Sequence, residues 1–318
     1  MRAQQIMSQP QPLRIGTRGS PMALIQAEIV RDRLAAAHRD LAAPGALEIV
    51  VIRTTGDRIQ DRPLYEIGGK ALFTKEIEEA LLGGAIDLAV HSMKDVATWL
   101  PPGLAIACLL PRDDPRDAFL SHRAATLREL PLGAALGTSS PRRAAQVLHL
   151  RPDLRIVSIR GNAGTRIRKL AAGECDATLL SLAGLRRIKE EGAIASIVST
   201  EDMLPAATQG AIGIECRADD RATRERLVPL HHAETASCIE AERALLAALG
   251  GSCRTPIAAL AELADGMLSL RGMVISPDGV RCHRVSRRGA VTDAEALGSD
   301  AGAELHRLAG PDFFVSPT

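Results

Sequence analysis

Gly16–Gln26 reads GTRGSPMALIQ, and Gly137–Gln146 repeats its outline as GTSSPRRAAQ. Each copy follows a short apolar run, Leu13–Thr17 in the first and Ala134–Thr138 in the second. Each then runs Gly-Thr, Ser-Pro, and a Gln five residues after the proline. Ser-Pro marks a helix start: the hydroxyl accepts from free N–H groups of the first turn, and proline fits there because its missing N–H has no partner to lose. Both copies therefore predict a strand, a tight turn and a helix, over Ser20–Ala37 and Ser140–Leu150. A unit of strand, turn and helix stated twice suggests two domains of one plan.

Working outward, Leu47–Arg53, Asp87–Ser92 and Leu104–Leu109 read as strands and Thr74–Leu82 as a helix. Thr54–Lys70 is polar, Gly-bearing and weakly periodic, and a loop of that length in a compact domain is usually functional or mobile. After Pro115 the pattern continues with strands at Ile156–Ile159 and Ala177–Ser181 and a helix over Thr165–Ala172. Alternating short apolar runs and helices imply an α/β fold with largely parallel sheets. From His231 the character changes to one helix, Thr235–Leu249, the loop Gly250-Gly251-Ser252-Cys253, alternating stretches at Met267–Val274 and Gly279–Val285, and a helix near Asp293–Leu308. The expectation is two similar α/β domains around a cleft, like periplasmic binding proteins, plus a small α+β domain. The boundaries expected are 13–112 with 208–230, 113–207, and 231–318.

With 318 residues, 46% hydrophobic and 24% charged, the chain has an ordinary globular composition and needs no disulfide or structural metal to hold a core. A net charge of +1 argues against nucleic acid or an acidic membrane as partner, and 2% aromatics leaves few stacking platforms for single strands. The six cysteines form no CxxC pair and no metal-ligand spacing, which fits a reducing compartment. MRAQQIMSQPQP has no apolar signal core and reads as a disordered lead, and no apolar run is long enough to span a bilayer. A cytoplasmic protein is expected.

Chemistry gathers at strand ends. Only five of the 39 basic residues are lysines, and the arginines cluster where helices begin: Arg18, Arg142-Arg143, Arg160 and Arg166 at the two ends of RGNAGTR, and Arg186-Arg187. Helix N-termini attract anions, and guanidinium forks grip carboxylates or phosphates in pairs. Strand carboxyl ends are also where open α/β sheets bind ligands. The implied ligand carries several anionic groups. GGKALF (Gly68–Phe73) lacks the pattern of a phosphate-cradling loop, which disfavours nucleotides. Asp95, in HSMKD (His91–Asp95), follows a buried strand and is either a catalytic carboxylate or a helix cap. Cys253 stands out among the cysteines by its Gly-rich loop and neighbouring Arg254, since positive charge lowers a thiol's pKa. Cys108 and Cys175 read as packed, apolar side chains.

In order and spacing, LRIGTRGSPMAL, TTGDRIQDRPL, GGKALFTKEIE, DLAVHSMKDV, DDPRDAF, GTSSPRRAAQ, SIRGNAGTRIRKL, AGLRRI, LPAATQGAIGIECR and GGSCRTPI resemble the hydroxymethylbilane synthase (porphobilinogen deaminase) family along almost the whole chain. The resemblance implies condensation of four porphobilinogen molecules, with release of ammonia, into hydroxymethylbilane. It further implies a dipyrromethane cofactor held by a thioether to Cys253, with Asp95 as the essential carboxylate. Lys94, Ser140, Arg142, Arg143 and Arg166 match cofactor-binding positions; Arg18, Arg160, Arg187 and Gln209 match substrate-binding ones. Lys70 and Phe73 match a mobile loop and its hinge. No metal is implied, and the family suggests a monomer. Such chemistry suits the arginines: each pyrrole bears two carboxylates, and each charge-assisted hydrogen bond contributes on the order of 1.5–3 kcal/mol. Two positions depart from the family, which often has Gly at Thr208 and Ser252; a side chain there restricts the backbone where φ is positive. Two rival readings are a solute-binding module and a ligand-sensing regulator. Neither would carry covalent pyrroles, and no helix-turn-helix is expected before the first strand.

Overall fold

The computed structural model describes residues 11–58, 74–250, 255–310 and 313. The expectations placed on the N-terminal lead before residue 11, most of the 54–70 loop, Lys70, Phe73, Ser252, Cys253 and Arg254 lie outside the described residues.

The chain opens with β1 (Leu13–Arg18), α1 (Pro21–Ala37), β2 (Leu47–Ile52), a single helical turn α2 (Thr55–Arg58), α3 (Lys75–Leu82), β3 (Leu88–Ser92) and β4 (Leu104–Leu109). It then crosses to β5 (Asp117–Ser121), β6 (Ala135–Gly137), α4 (Pro141–Leu150), β7 (Arg155–Val157), α5 (Ala163–Ala171), β8 (Ala177–Ser181), α6 (Leu182–Arg187) and β9 (Ser196–Ile197). It crosses back to β10 (Ile212–Arg217) and α7 (Arg221–Leu227), and ends with α8 (Ala233–Ala248), β11 (Ile257–Ala264), β12 (Met267–Ile275), β13 (Cys282–Ala290) and α9 (Ala294–Ala309).

Two five-stranded sheets result, ordered β2-β1-β3-β10-β4 and β7-β6-β8-β5-β9. In each, one strand runs antiparallel to the rest: β10 between β3 and β4, and β5 between β8 and β9. The repeated sequence unit occupies the same place in both, as β1–α1 and β6–α4. Ser20 accepts from the Ala23 N–H and Ser140 from the Arg143 N–H, each followed by proline in the first turn. Core side chains lie on both faces of each sheet. The third sheet, β11-β12-β13, is antiparallel and covers its core with α8 and α9. Those helices approach closely enough that a Cβ on Gly298 would collide with the Ala241 carbonyl oxygen.

Several elements differ from expectation. The strands β5, β9, β10 and β11 and the helices α6 and α7 carry no periodic signal strong enough to be read from the chain. α5 starts two residues before the expected Thr165, because Asn162 accepts from the Thr165 N–H and caps it.

The two crossovers meet at a buried carboxylate. Glu242 on α8 accepts from Nη1 and Nη2 of Arg112 at 2.6 and 3.1 Å, from the Ala261 N–H at 2.7 Å, and from the Thr208 N–H. Gly210 has φ +90°, and a Cβ there would strike the Asp113 carbonyl oxygen. Thr208 is buried with φ +65°, a left-handed conformation that costs a β-branched residue roughly 1–2 kcal/mol. Thr208→Gly is therefore expected to stabilise the fold by about 1 kcal/mol, after the greater freedom glycine gives the unfolded chain. A raised thermal midpoint would show it; a lowered one would mean that the buried side chain contributes more than the strain costs.

Candidate functional site

The carboxyl ends of the parallel strands in both sheets converge on one cluster of charge. Arg18 ends β1, and Lys94 and Asp95 lie in the 3-10 turn directly after β3. Arg18 Nη1 lies 3.7 Å from Asp95 Oδ2. No helix follows Asp95 before β4, and the turn it ends starts from Ser92, so the helix-cap reading finds nothing to cap.

From the second sheet, α4 delivers Arg142 and Arg143, both buried. Arg142 spends its fork inside the protein, donating from Nη1 to the Leu204 carbonyl and from Nη2 to Asp117 Oδ2, each at 2.7 Å. Arg143 donates from Nη2 to Asp117 Oδ1 at 2.8 Å, while its buried Nε has no hydrogen-bond partner among the described residues. Arg160, which follows β7, likewise carries a buried Nη1 without a partner among the described residues. Arg166 on α5 donates its Nε to the Gly161 carbonyl, and desolvation together with the charges of Arg143 and Arg160 pushes its guanidinium down to about 10. Arg187, ending α6, donates to the Gly210 carbonyl at 2.6 Å and lies 3.4 Å from Asp113 Oδ2. Gln209 links the halves: its Oε1 faces Lys94 Nζ at 3.4 Å and its Nε2 donates to Asp117 Oδ1 at 2.8 Å. Ser140 acts here as the α4 cap.

The structure thus brings together Arg18, Lys94, Asp95, Ser140, Arg142, Arg143, Arg160, Arg166, Arg187 and Gln209. Sequence reading missed Asp117, although DDPRDAF contains it; no local pattern marks it as the partner of arginines 25 and 26 residues on. Seven cations face three carboxylates, Asp95, Asp113 and Asp117, so the cleft is poised for a polyanion. Two buried, partnerless guanidinium donors in that setting fit a ligand with several carboxylates, because leaving such donors unmet costs about 1–3 kcal/mol each. An open surface pocket beside Arg33, Pro111 and His231 is lined by none of the residues of this cluster. Among the described residues no group of three or more His, Cys, Asp or Glu is placed to hold a metal. No helix among them is long and apolar enough to cross a membrane.

The family profile described as porphobilinogen deaminase, dipyromethane cofactor binding domain, matches residues 13–225, and the one described as porphobilinogen deaminase, C-terminal domain, matches residues 236–307. The chain belongs to the porphobilinogen deaminase family. It is an enzyme of tetrapyrrole biosynthesis whose larger matched region is the dipyrromethane-binding domain. It is 54% identical over 308 residues to the chloroplastic porphobilinogen deaminase of Pisum sativum, covering 96% of this chain and 84% of that one. Its identity to the porphobilinogen deaminase of Nitrobacter hamburgensis is also 54%, over 301 residues and 95% of both chains. Among solved structures, the methionine-binding protein MetQ aligns at 14% identity with a TM-score of 0.43, over 70% of this chain and 90% of that one.

Lys94 offers a pH test. The depth of the cleft, with Arg143 and Arg142, pushes its ammonium down to about 8, against the opposing pull of Asp95 and Asp117. The side chain is itself solvent-exposed, so screening moderates the effect. A lysine with a lowered pKa loses its charge as pH rises through that value, so affinity for an acidic substrate should fall above about pH 8. Lys94→Arg keeps the charge; KM measured against pH should then lose its alkaline rise. A wild-type rise in that variant would assign the titration elsewhere.

Proposed function

We propose that this cleft joins four porphobilinogen molecules head to tail, with release of ammonia, into hydroxymethylbilane. The cationic cluster would bind the acidic side chains of substrate and growing chain. The observation that carries the reading is the pair of buried, unmet donors on Arg143 and Arg160, inside a cluster that also holds Asp95. When bound, dipyrromethane supplies the pyrrole carbon from which the chain grows.

Cys253 would tether the cofactor. Lys94, Ser140, Arg142, Arg143 and Arg166 would form its cradle, with Arg142 acting mainly by holding Asp117 and the Leu204 carbonyl. Arg18, Arg160, Arg187 and Gln209 would take the incoming substrate, with Lys70 and Phe73 on the segment covering the cleft. Asp95 would accept the pyrrole N–H, stabilise the cation that the substrate becomes when ammonia leaves, and take the proton released at the attacked carbon.

The same reading divides the chain into units 13–112 with 208–230, 113–207, and 231–318. It takes the protein as a cytoplasmic monomer, with porphobilinogen as its partner and neither nucleic acid nor membrane; a net charge of +1 supports the latter exclusions.

Arg160 tests the site most cleanly, because no hydrogen bond within the described protein meets its buried Nη1. Arg160→Leu should raise KM for porphobilinogen at least about tenfold, equivalent to 1.4 kcal/mol, with the thermal midpoint unchanged or higher. A wild-type KM would sink the assignment.

A further inference from the structure

One buried carboxylate ties the cluster together without facing the cleft as a free group. Asp117 opens β5 and is 1% exposed. Its Oδ2 accepts from Arg142, and its Oδ1 accepts from both Arg143 and Gln209. Gln209 also donates to the Pro115 carbonyl at 2.7 Å and presents Oε1 to Lys94. A continuous path therefore runs from Lys94, beside Asp95 on the first sheet, through Gln209 on the returning crossover, to the arginine pair on the second sheet. Burial raises the carboxyl's pKa, but the charges and hydrogen bonds of Arg142 and Arg143 more than offset this and hold it far below the usual range. At neutral pH it is therefore an anion.

We propose that Asp117, supported by Gln209, is a positioning residue for substrate and cofactor binding; this rests on the cleft being the acid-binding site proposed above. Successive residues on a helix point about 100° apart, so Arg142 and Arg143 would diverge and repel one another at close quarters. One shared carboxylate turns both guanidiniums to the same side. It grips Arg143 by Nη2 alone, which leaves Nη1 without a hydrogen bond among the described residues and able to meet a ligand carboxylate. Gln209 fixes the same carboxylate relative to Lys94, setting anion-holding groups of two sheets in register before substrate arrives. Preorganisation of this kind lowers the cost of binding without touching the reacting atoms.

The competing account is that Asp117 only neutralises buried charge. Loss of a purely structural pair would reduce the folded, active fraction and so lower apparent kcat at unchanged KM. Positioning predicts the reverse split. Asp117→Asn keeps the shape and removes the charge; KM should rise at least about tenfold, with kcat per primer-bearing molecule within about threefold of wild type. Intact mass should show a smaller fraction of molecules carrying two pyrrole units. In Arg143→Leu, adding Asp117→Asn should raise KM little further, because both changes remove one effect.

An unchanged KM and primer fraction in Asp117→Asn, or KM effects of the two substitutions that multiply, overturns the proposal. If Asp117→Asn does not fold, Asp117→Glu carries the test, since it keeps the charge that neutralises both arginines but displaces it by one methylene; wild-type KM and primer fraction there overturn it equally. The two readings fail separately. Arg143→Leu and Arg160→Leu with wild-type KM would remove the site itself, whereas defective arginine variants beside a normal Asp117→Asn would remove only the positioning role.

Discussion

Cys253→Ala is expected to fold, to carry no covalent pyrrole and to lose turnover to background. The described cysteines leave few alternatives for the tether. Cys108, Cys216 and Cys238 are buried, and desolvation pushes their thiols up to about 12, 11 and 11; burial raises Cys175 as well. A buried thiol held protonated is a poor nucleophile. Cys282 is half-buried on β13, packed against the group formed by Leu204, Ala258, Leu260 and Met273, so Cys282→Ala should keep a full pyrrole complement and serves as the control. The connection that carries Cys253 leaves from α8. That helix is anchored beside the Asp95 turn: Ile239 packs in one cluster with Met93 and Val96, and Arg243 donates to the carbonyls of Ala97 and Thr98. An aldehyde reagent for pyrroles and intact mass both read the outcome. Normal pyrrole colour from denatured Cys253→Ala would end the assignment.

What could be read from the chain was whatever announces itself locally. Ser-Pro at residues 20–21 and 140–141 marked two helix starts that the structure caps as expected, and the apolar runs of β1, β3, β4 and β8 lie where their patterns placed them. What escaped depended on partners distant in sequence. β10 reads Ile-Gly-Ile-Glu-Cys-Arg, and Glu215 at its centre is fully buried; a charged residue there argues against a central strand until His91 is found 2.9 Å from it, on the neighbouring β3. β5 begins with buried Asp117 for a similar reason, its charge met only by arginines of a later helix. Each buried charge costs several kcal/mol unless paired, so these strands exist only because the fold supplies the pair. The basic cluster was visible as a count of arginines at strand ends. Which buried donors lack a partner among the described residues, on Arg143 and Arg160, needed the three-dimensional arrangement. Thr208 shows the opposite case: a backbone conformation that its sequence alone discourages is imposed where two crossovers meet the Glu242 carboxylate.

Asp95→Asn should retain the primer and bind substrate while losing turnover by at least about a hundredfold, the scale of a positioned acid–base or electrostatic group. Asp95 stands at the carboxyl end of β3 with its side chain 37% exposed and Arg18 at 3.7 Å as its closest ion-pair contact, looser than the buried pairs around Asp117. A carboxylate held that lightly keeps its oxygens available for a substrate N–H. Departure of ammonia leaves positive charge on the substrate, in a cleft whose other charges are mostly cationic and would repel it; an anion at this position offsets that repulsion where it is greatest. The amide of asparagine can still hydrogen-bond but carries no charge to stabilise the cation and no basic oxygen to take the proton. Asp95→Glu keeps the charge displaced by one methylene and should retain measurable turnover. A structural role predicts otherwise: Asp95 caps no helix, so Asn would fit with little penalty to folding or rate. Hydroxymethylbilane formation by Asp95→Asn, with two pyrrole units confirmed by mass, decides between them. Near-normal turnover in that protein would falsify the catalytic role, and a hundredfold loss with unaltered thermal unfolding would place the chemistry on this carboxylate.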